Sequence, residues 1–175
     1  TVLDSIASNG IVVIASNSTN VTAQLMTQGL DWLIAQNTTP GEFQGMLDPS
    51  RAVSIGYSLG GGAAVTTGSH PNVITTVSFH GLQGPAENLH GPLLLFTGTL
   101  DDFVSAAQFV TPTYNRSRVQ TFYATLTGAD HLYPLNTAGD QRDEVLRAYT
   151  QYVGPVSEKA AYLTLEWAEY ATIWD

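Results

Sequence analysis

Apolar residues fall into short runs bounded by turn residues: Ile11–Ala15 (IVVIA), Ala52–Gly56 (AVSIG), Val73–Phe79 (VITTVSF), Pro92–Thr97 (PLLLFT) and Val119–Leu126 (VQTFYATL). Each run is nearly continuous and rich in β-branched or aromatic residues, the pattern of parallel strands buried on both faces. Segments with helical spacing separate them. Ala23–Gln36 carries Leu25, Met26, Leu30, Leu33 and Ile34 on one stripe. Val2–Ser8 reads as a short helix closed by Asn9-Gly10, Gly61–Gly68 as a small apolar one, Ala106–Val110 as a brief one and Gln141–Val153 as an amphipathic one. Residues 157–175 predict a helical tail with Trp167, Tyr170 and Trp174 on one face, packed on the body of the domain or facing a partner. The alternation predicts one α/β domain over residues 1–175, with a mostly parallel sheet of about five strands flanked by helices.

Composition narrows the partners. The 175 residues are 43% hydrophobic and only 12% charged, with a net charge of −9 and six lysines and arginines together. Nucleic acid and anionic membrane surfaces both require clustered cations, so neither is expected as a partner. No apolar run is long enough for a membrane-spanning helix. The absence of cysteine excludes disulfides, thiolate metal sites and a cysteine nucleophile. Four Asn-x-Ser/Thr sequons, at Asn17, Asn20, Asn37 and Asn115, point to a secreted or periplasmic protein, or else mark loops rich in Asn and Thr. The chain has no initiator Met, so a processed product or a piece of something longer is expected.

The chemistry concentrates at three strand ends. In SIGYSLGGGAA (Ser54–Ala64), Ser58 lies between a strand and a small-residue helix, flanked at two positions by Gly56 and Gly60. That is the context of a nucleophile elbow, whose tight turn excludes bulk on either side of the serine. The helix that follows aims its first N–H groups at the position of a developing oxyanion. A serine hydroxyl needs a base, and the base needs a carboxylate behind it. After Pro92–Thr97 comes Gly98-Thr-Leu-Asp101-Asp102, and after Val119–Leu126 comes Gly128-Ala-Asp130-His131, which supplies both in the order Ser, Asp, His. The spacing from Gly98 favours Asp101 as the acid, with Asp102 the alternative; Asp130 reads as a turn residue. His80, at the end of Val73–Phe79, either lines the pocket or is a hydrogen-bonded structural histidine. His70 and His90 read as surface residues. No cluster has metal-ligand spacing, so neither metal nor cofactor is expected.

With these motifs the chain resembles the α/β-hydrolases, and within them the polyester hydrolases and cutinases of the dienelactone-hydrolase-like group. The resemblance runs from about Leu3 to Tyr162 through ASNGIVVIASNST, DPSRAVSIGYSLGGG, VSFHGLQGP, LLLFTGTLDDFV and GADHLYP. It implies an esterase with Ser58 as nucleophile, Asp101 as orienting acid, His131 as base and the Leu59 N–H as an oxyanion donor. It places Tyr57 in an aromatic clamp on the acyl group. Phe79, His80 and Leu82, at the end of Val73–Phe79 and just beyond it, are expected near the substrate from their place at the active edge. The family has proline where this chain has Ser105. It also has three strands and a second oxyanion-donor loop ahead of the helix near Val2, so the chain reads as N-terminally truncated relative to the family. Direct pairing of Ile11–Ala15 with Ala52–Gly56 is then expected to close the sheet. The substrate expected is a small or polymeric ester, neutral and fairly apolar. The alternatives are an inactive hydrolase fragment acting as a binding or structural module, and an acyltransferase using the same three residues.

Overall fold

The computed structural model describes residues 10–15 and 22–133. The segments expected to be helical at Val2–Ser8, Gln141–Val153 and 157–175 lie outside the described residues. In chain order the elements are helix α1 (Ala23–Gln36), strand β1 (Ala52–Tyr57), helix α2 (Leu59–Thr67), strand β2 (Val73–Phe79), a 3₁₀ turn (Ala86–Asn88), strand β3 (Leu93–Gly98), a π-helical turn (Ala106–Val110) running into helix α3 (Thr111–Arg116), and strand β4 (Thr121–Leu126). No helix among the described residues is long and apolar enough to cross a membrane.

The four strands form one parallel sheet in the order β1-β2-β3-β4. β3 is buried along its whole length, and its side chains alternate between two cores. Leu94 and Phe96 join Val77, Phe79, Leu126 and Ala129 on one face. Leu93 and Leu95 join Val65, Ala86, Leu89, Val104 and Val110 on the other. A period of two with both faces covered is why this strand reads as an unbroken apolar run. Proline cannot donate to a ladder, and accordingly β3 starts one residue after Pro92. α1 starts where its pattern begins, because the Thr22 hydroxyl accepts the Leu25 N–H at 3.2 Å.

The sheet corrects one expectation. Ile11–Ala15 is not a strand, and among the described residues β1 pairs only with β2. Ile14 instead sets its side chain against Gly29 of α1, 3.3 Å from where a Cβ would stand, and remains 44% exposed. An apolar run specifies that a segment seeks a hydrophobic surface; it does not specify a ladder, and here a helix supplies the surface.

Register sets the ends of the strands level. Tyr57 pairs with Phe79, Phe79 with Phe96, and Gly98 with Leu126, so four neighbouring strands deliver their following loops to one edge. In an open α/β sheet that carboxyl edge is where chemistry collects.

Two measurements test this architecture. Phe96→Ala, at a residue 1% exposed, is expected to lower unfolding free energy by about 3–5 kcal/mol in a denaturant titration. Met46→Ala, at a residue 74% exposed, should stay within about 0.5 kcal/mol of wild type. In hydrogen exchange, amides of Leu94–Phe96 should be the slowest and those of Val12–Ala15 much faster; equal protection of Val12–Ala15 and β1 would contradict the four-stranded sheet.

Candidate active site

Ser58 occupies a turn that few residues tolerate. Its backbone lies at φ 55°, ψ −120°, between the last residue of β1 and the first of α2. A left-handed φ at a non-glycine residue is strained, and it persists only where the surroundings over-determine it. Several contacts hold it here. The Ser58 N–H donates to Phe79 O at 2.9 Å, and Ser58 O accepts the N–H groups of Gly61 and Leu82, each at 3.0 Å. A Cβ at Gly56 would run into the carbonyl of Gly60, so the turn can close this tightly only with glycine there. At Gly61 a Cβ would stand 2.6 Å from Gly81 Cα, which is why the helix can press against the loop after β2.

Asp101 follows β3 and is buried. Its Oδ1 accepts the N–H of Phe103 at 3.1 Å and of Val104 at 2.8 Å, an Asx-type turn that fixes the side chain. Its Oδ2 accepts from His131 Nδ1 at 2.9 Å and His80 Nδ1 at 2.6 Å. Burial opposes ionisation of this carboxyl, but hydrogen bonds from His131, Val104 and His80 outweigh it and hold its pKa below the ordinary value. Asp102, the alternative from sequence, is exposed, and it is Asp101 that bonds His131.

His131 follows β4 in a loop clamped to the end of β3. Leu100 N–H bonds Ala129 O at 2.9 Å and Gly128 N–H bonds Thr99 Oγ1 at 2.8 Å. A Cβ at Gly98 would collide with the Ala129 carbonyl, so glycine admits the approach. The far nitrogen of the ring, His131 Nε2, lies 3.0 Å from Ser58 Oγ. Serine, imidazole and carboxylate thus form one hydrogen-bonded chain. Because ionised Asp101 can only accept, Nδ1 of His131 carries the proton and Nε2 presents its lone pair to the serine hydroxyl.

The surrounding residues take several different environments. Tyr57 stands beside His131, ring centroids 5.0 Å apart, and its hydroxyl donates to His131 O at 2.8 Å. Burial, reinforced by the charges of Asp101 and Asp130, raises its pKa, so the hydroxyl keeps the proton it donates. Phe79 does not line a pocket: it is 4% exposed and packs on Phe96 within the core. His80 likewise has no exposed surface and bonds Asp101 from below. Leu82 is half-buried and braces the elbow through its N–H. Asp130 is a turn residue, accepting the Leu132 N–H at 3.0 Å. His90 is exposed, whereas His70 is half-buried and pairs with Asp31 at 3.1 Å. Missed from sequence was Phe103, 81% exposed with its ring centroid 5.6 Å from His131. Its signal was an aromatic residue two positions after the acid, in a polar loop at the active edge.

His80, Asp101 and His131 bring ligand-type atoms within 4.8 Å of one another. Both rings, however, turn Nδ1 onto the same carboxylate oxygen at hydrogen-bond distance, and a cation there would have to displace both ring protons.

No curated protein matches the chain. A family model described as PETase: PET hydrolase-like matches residues 3–150, from ahead of α1 to beyond His131. With a parallel sheet of α/β-hydrolase type beneath that match, the chain belongs to the PET hydrolase-like family of polyester hydrolases.

Proposed function

We propose that the chain is a serine ester hydrolase in which Ser58 is the nucleophile, His131 the general base and Asp101 the acid that orients it. The observation that carries this reading is the unbroken chain Ser58 Oγ–His131 Nε2 (3.0 Å) and His131 Nδ1–Asp101 Oδ2 (2.9 Å), assembled from the ends of three strands. As Ser58 Oγ attacks an ester carbonyl, Nε2 of His131 takes the hydroxyl proton, and Asp101 stabilises the imidazolium that results. The oxyanion develops at the start of α2, whose first residue is Leu59 and where an α-helix leaves its first N–H groups without intrahelical partners; the Leu59 N–H is the donor assigned to it. His131 then returns the proton to the departing alcohol. Water, deprotonated by the same nitrogen, releases the acid from Ser58.

The rim of the site supports a neutral, fairly apolar ester. Phe103 and Tyr57 flank the imidazole, and Leu59, Leu100 and Leu132 are 41%, 59% and 56% exposed on residues adjoining the triad. With a net charge of −9, the chain suits an uncharged acyl group better than an anionic one. A small ester or an accessible segment of a polyester fits this description, and the sequons support an enzyme acting outside the cytoplasm.

Ser58→Ala is expected to lower kcat for a short p-nitrophenyl ester by roughly 10⁵–10⁶-fold and to remove the acyl-enzyme burst. Equal turnover in wild type and variant would sink the assignment and favour a binding module. Asp101→Asn should cost about 10³–10⁴-fold in kcat by favouring the wrong tautomer of His131. The pH dependence has a fixed sign. The folded-state pKa of Asp101 is depressed, so its contribution to stability is complete above the ordinary carboxylate range and is lost as pH falls through the lower folded value. Unfolding titrations of wild type and Asp101→Asn should therefore differ most near neutral pH and converge in acid.

A further inference from the structure

His80 is an ionisable side chain with no exposed surface, and the serine–histidine–aspartate chain makes no direct use of it. It follows β2 directly, one strand in from Ser58, and its backbone N–H closes on Phe96 O at 2.8 Å. Its φ is +45°, and Ser58 is the one other non-glycine residue with positive φ among the described residues. Histidine enters this region more readily than most residues, but the conformation still carries strain that surrounding contacts must hold. In return the ring is turned onto Asp101, Nδ1 to Oδ2 at 2.6 Å, a shorter contact than the one His131 makes to the same oxygen. The opposite nitrogen, Nε2, is buried without a hydrogen-bond partner among the described residues. Its bond to Asp101 is therefore the polar contact that its burial preserves.

We propose that His80 is a positioning residue for the triad: by donating Nδ1–H to Asp101 Oδ2 it fixes the carboxylate's aim and makes His131 share that oxygen. The inference rests on the roles assigned to Asp101 and His131 above. A carboxylate offers about four acceptor positions, and here four donors fill them: the N–H groups of Phe103 and Val104 on Oδ1, and His80 and His131 on Oδ2. With His80 in place, the carboxylate cannot rotate about its last bond without breaking a buried contact. Burial lowers the pKa of His80, against the raising effect of Asp101, so the ring stays neutral and serves as a donor of fixed charge.

Five titratable groups act on one another here. Asp101 and His80 face His131 directly, Tyr57 lies against its ring, and the charge of Asp130 reaches both Tyr57 and His80. Ionised Asp101 is what holds the Nδ1 proton of His131. Removing the His80 donor takes away one of the bonds that favour ionised Asp101 and leaves the carboxylate to a single ring. The Asp101 carboxyl then binds a proton more readily, and activity fails at a higher pH on acidification.

Three substitutions separate positioning from packing. His80→Asn can place its amide nitrogen where Nδ1 lies, and asparagine accepts a left-handed backbone. His80→Gln carries its amide toward the Nε2 position and misses Asp101. His80→Phe keeps the ring and removes both nitrogens. The downfield ring N–H proton of His131, recorded by NMR without substrate, should stay near its wild-type position in H80N and move further downfield in H80Q and H80F. In the same variants the acid limb of kcat/KM for a p-nitrophenyl ester should stay in place for H80N and move to higher pH for H80Q and H80F. Their kcat should fall about 10–100-fold, as when other outer partners of a reacting histidine are lost, with KM within about twofold. The proposal is overturned if the His131 proton and the acid limb are the same in all three variants, whatever the loss of rate. If H80F fails to fold, H80Q against H80N carries the same comparison. Should the wild type turn over no ester, the hydrolase reading fails alone: the proton signature still separates H80N from H80Q and upholds the positioning of Asp101.

Discussion

A charged carboxylate enclosed at the end of the central strands is the constraint to which the active edge answers. Removing an ion from water costs several kcal/mol unless its lone pairs are met by well-placed donors. Asp101 meets that demand with two backbone N–H groups from its own loop and two ring N–H groups from neighbouring strand ends. The local pair requires the Asx turn at Asp101–Val104. The distant pair requires β2 and β4 to end level with β3, which the ladder of parallel pairs provides. A shift of one register position would move a ring away from the oxygen and leave a buried charge short of a partner.

The serine is held by a different kind of constraint, one of volume. Gly56, Gly61 and Gly98 each stand where a Cβ would meet another backbone, so strand, helix and loop approach as closely as main chains can. That closeness lets a strained residue at φ 55° stay in place, because its carbonyl is held by two N–H groups from different elements. Strain at Ser58 and at His80 thus lies at the same edge of the sheet, one residue beyond β1 and one beyond β2. Tyr57 adds a third tie, carrying the end of β1 to the backbone of His131 through its hydroxyl.

Much of this was legible along the chain. Val73–Phe79 and Ala23–Gln36 form over the spans their patterns predict, because an unbroken β-branched run and a capped amphipathic stripe each have one favourable local geometry. Ile11–Ala15 reads as a strand but forms none: Ile14 packs on a helix, and nothing local separates that from pairing in a ladder. Phe79 and His80 were placed near substrate because they end a strand at the active edge. Which way a side chain turns there depends on the neighbouring strand, and both turn inward.

The sequence by itself determined the order of elements from Ala23 to Leu126, the glycine-flanked turn at Ser58, and the carboxylate and imidazole that follow later strands. These are local signals, set by glycine spacing, apolar period and position after a strand. Only the tertiary structure decided that Asp101 rather than Asp102 bonds His131, since adjacent side chains diverge and Asp102 is exposed. It also decided that His80 is buried against the carboxylate, and that Phe103 lies beside the imidazole. Those outcomes depend on strand ends brought level by hydrogen bonds between residues twenty to seventy positions apart, a distance over which spacing along a chain carries no direction.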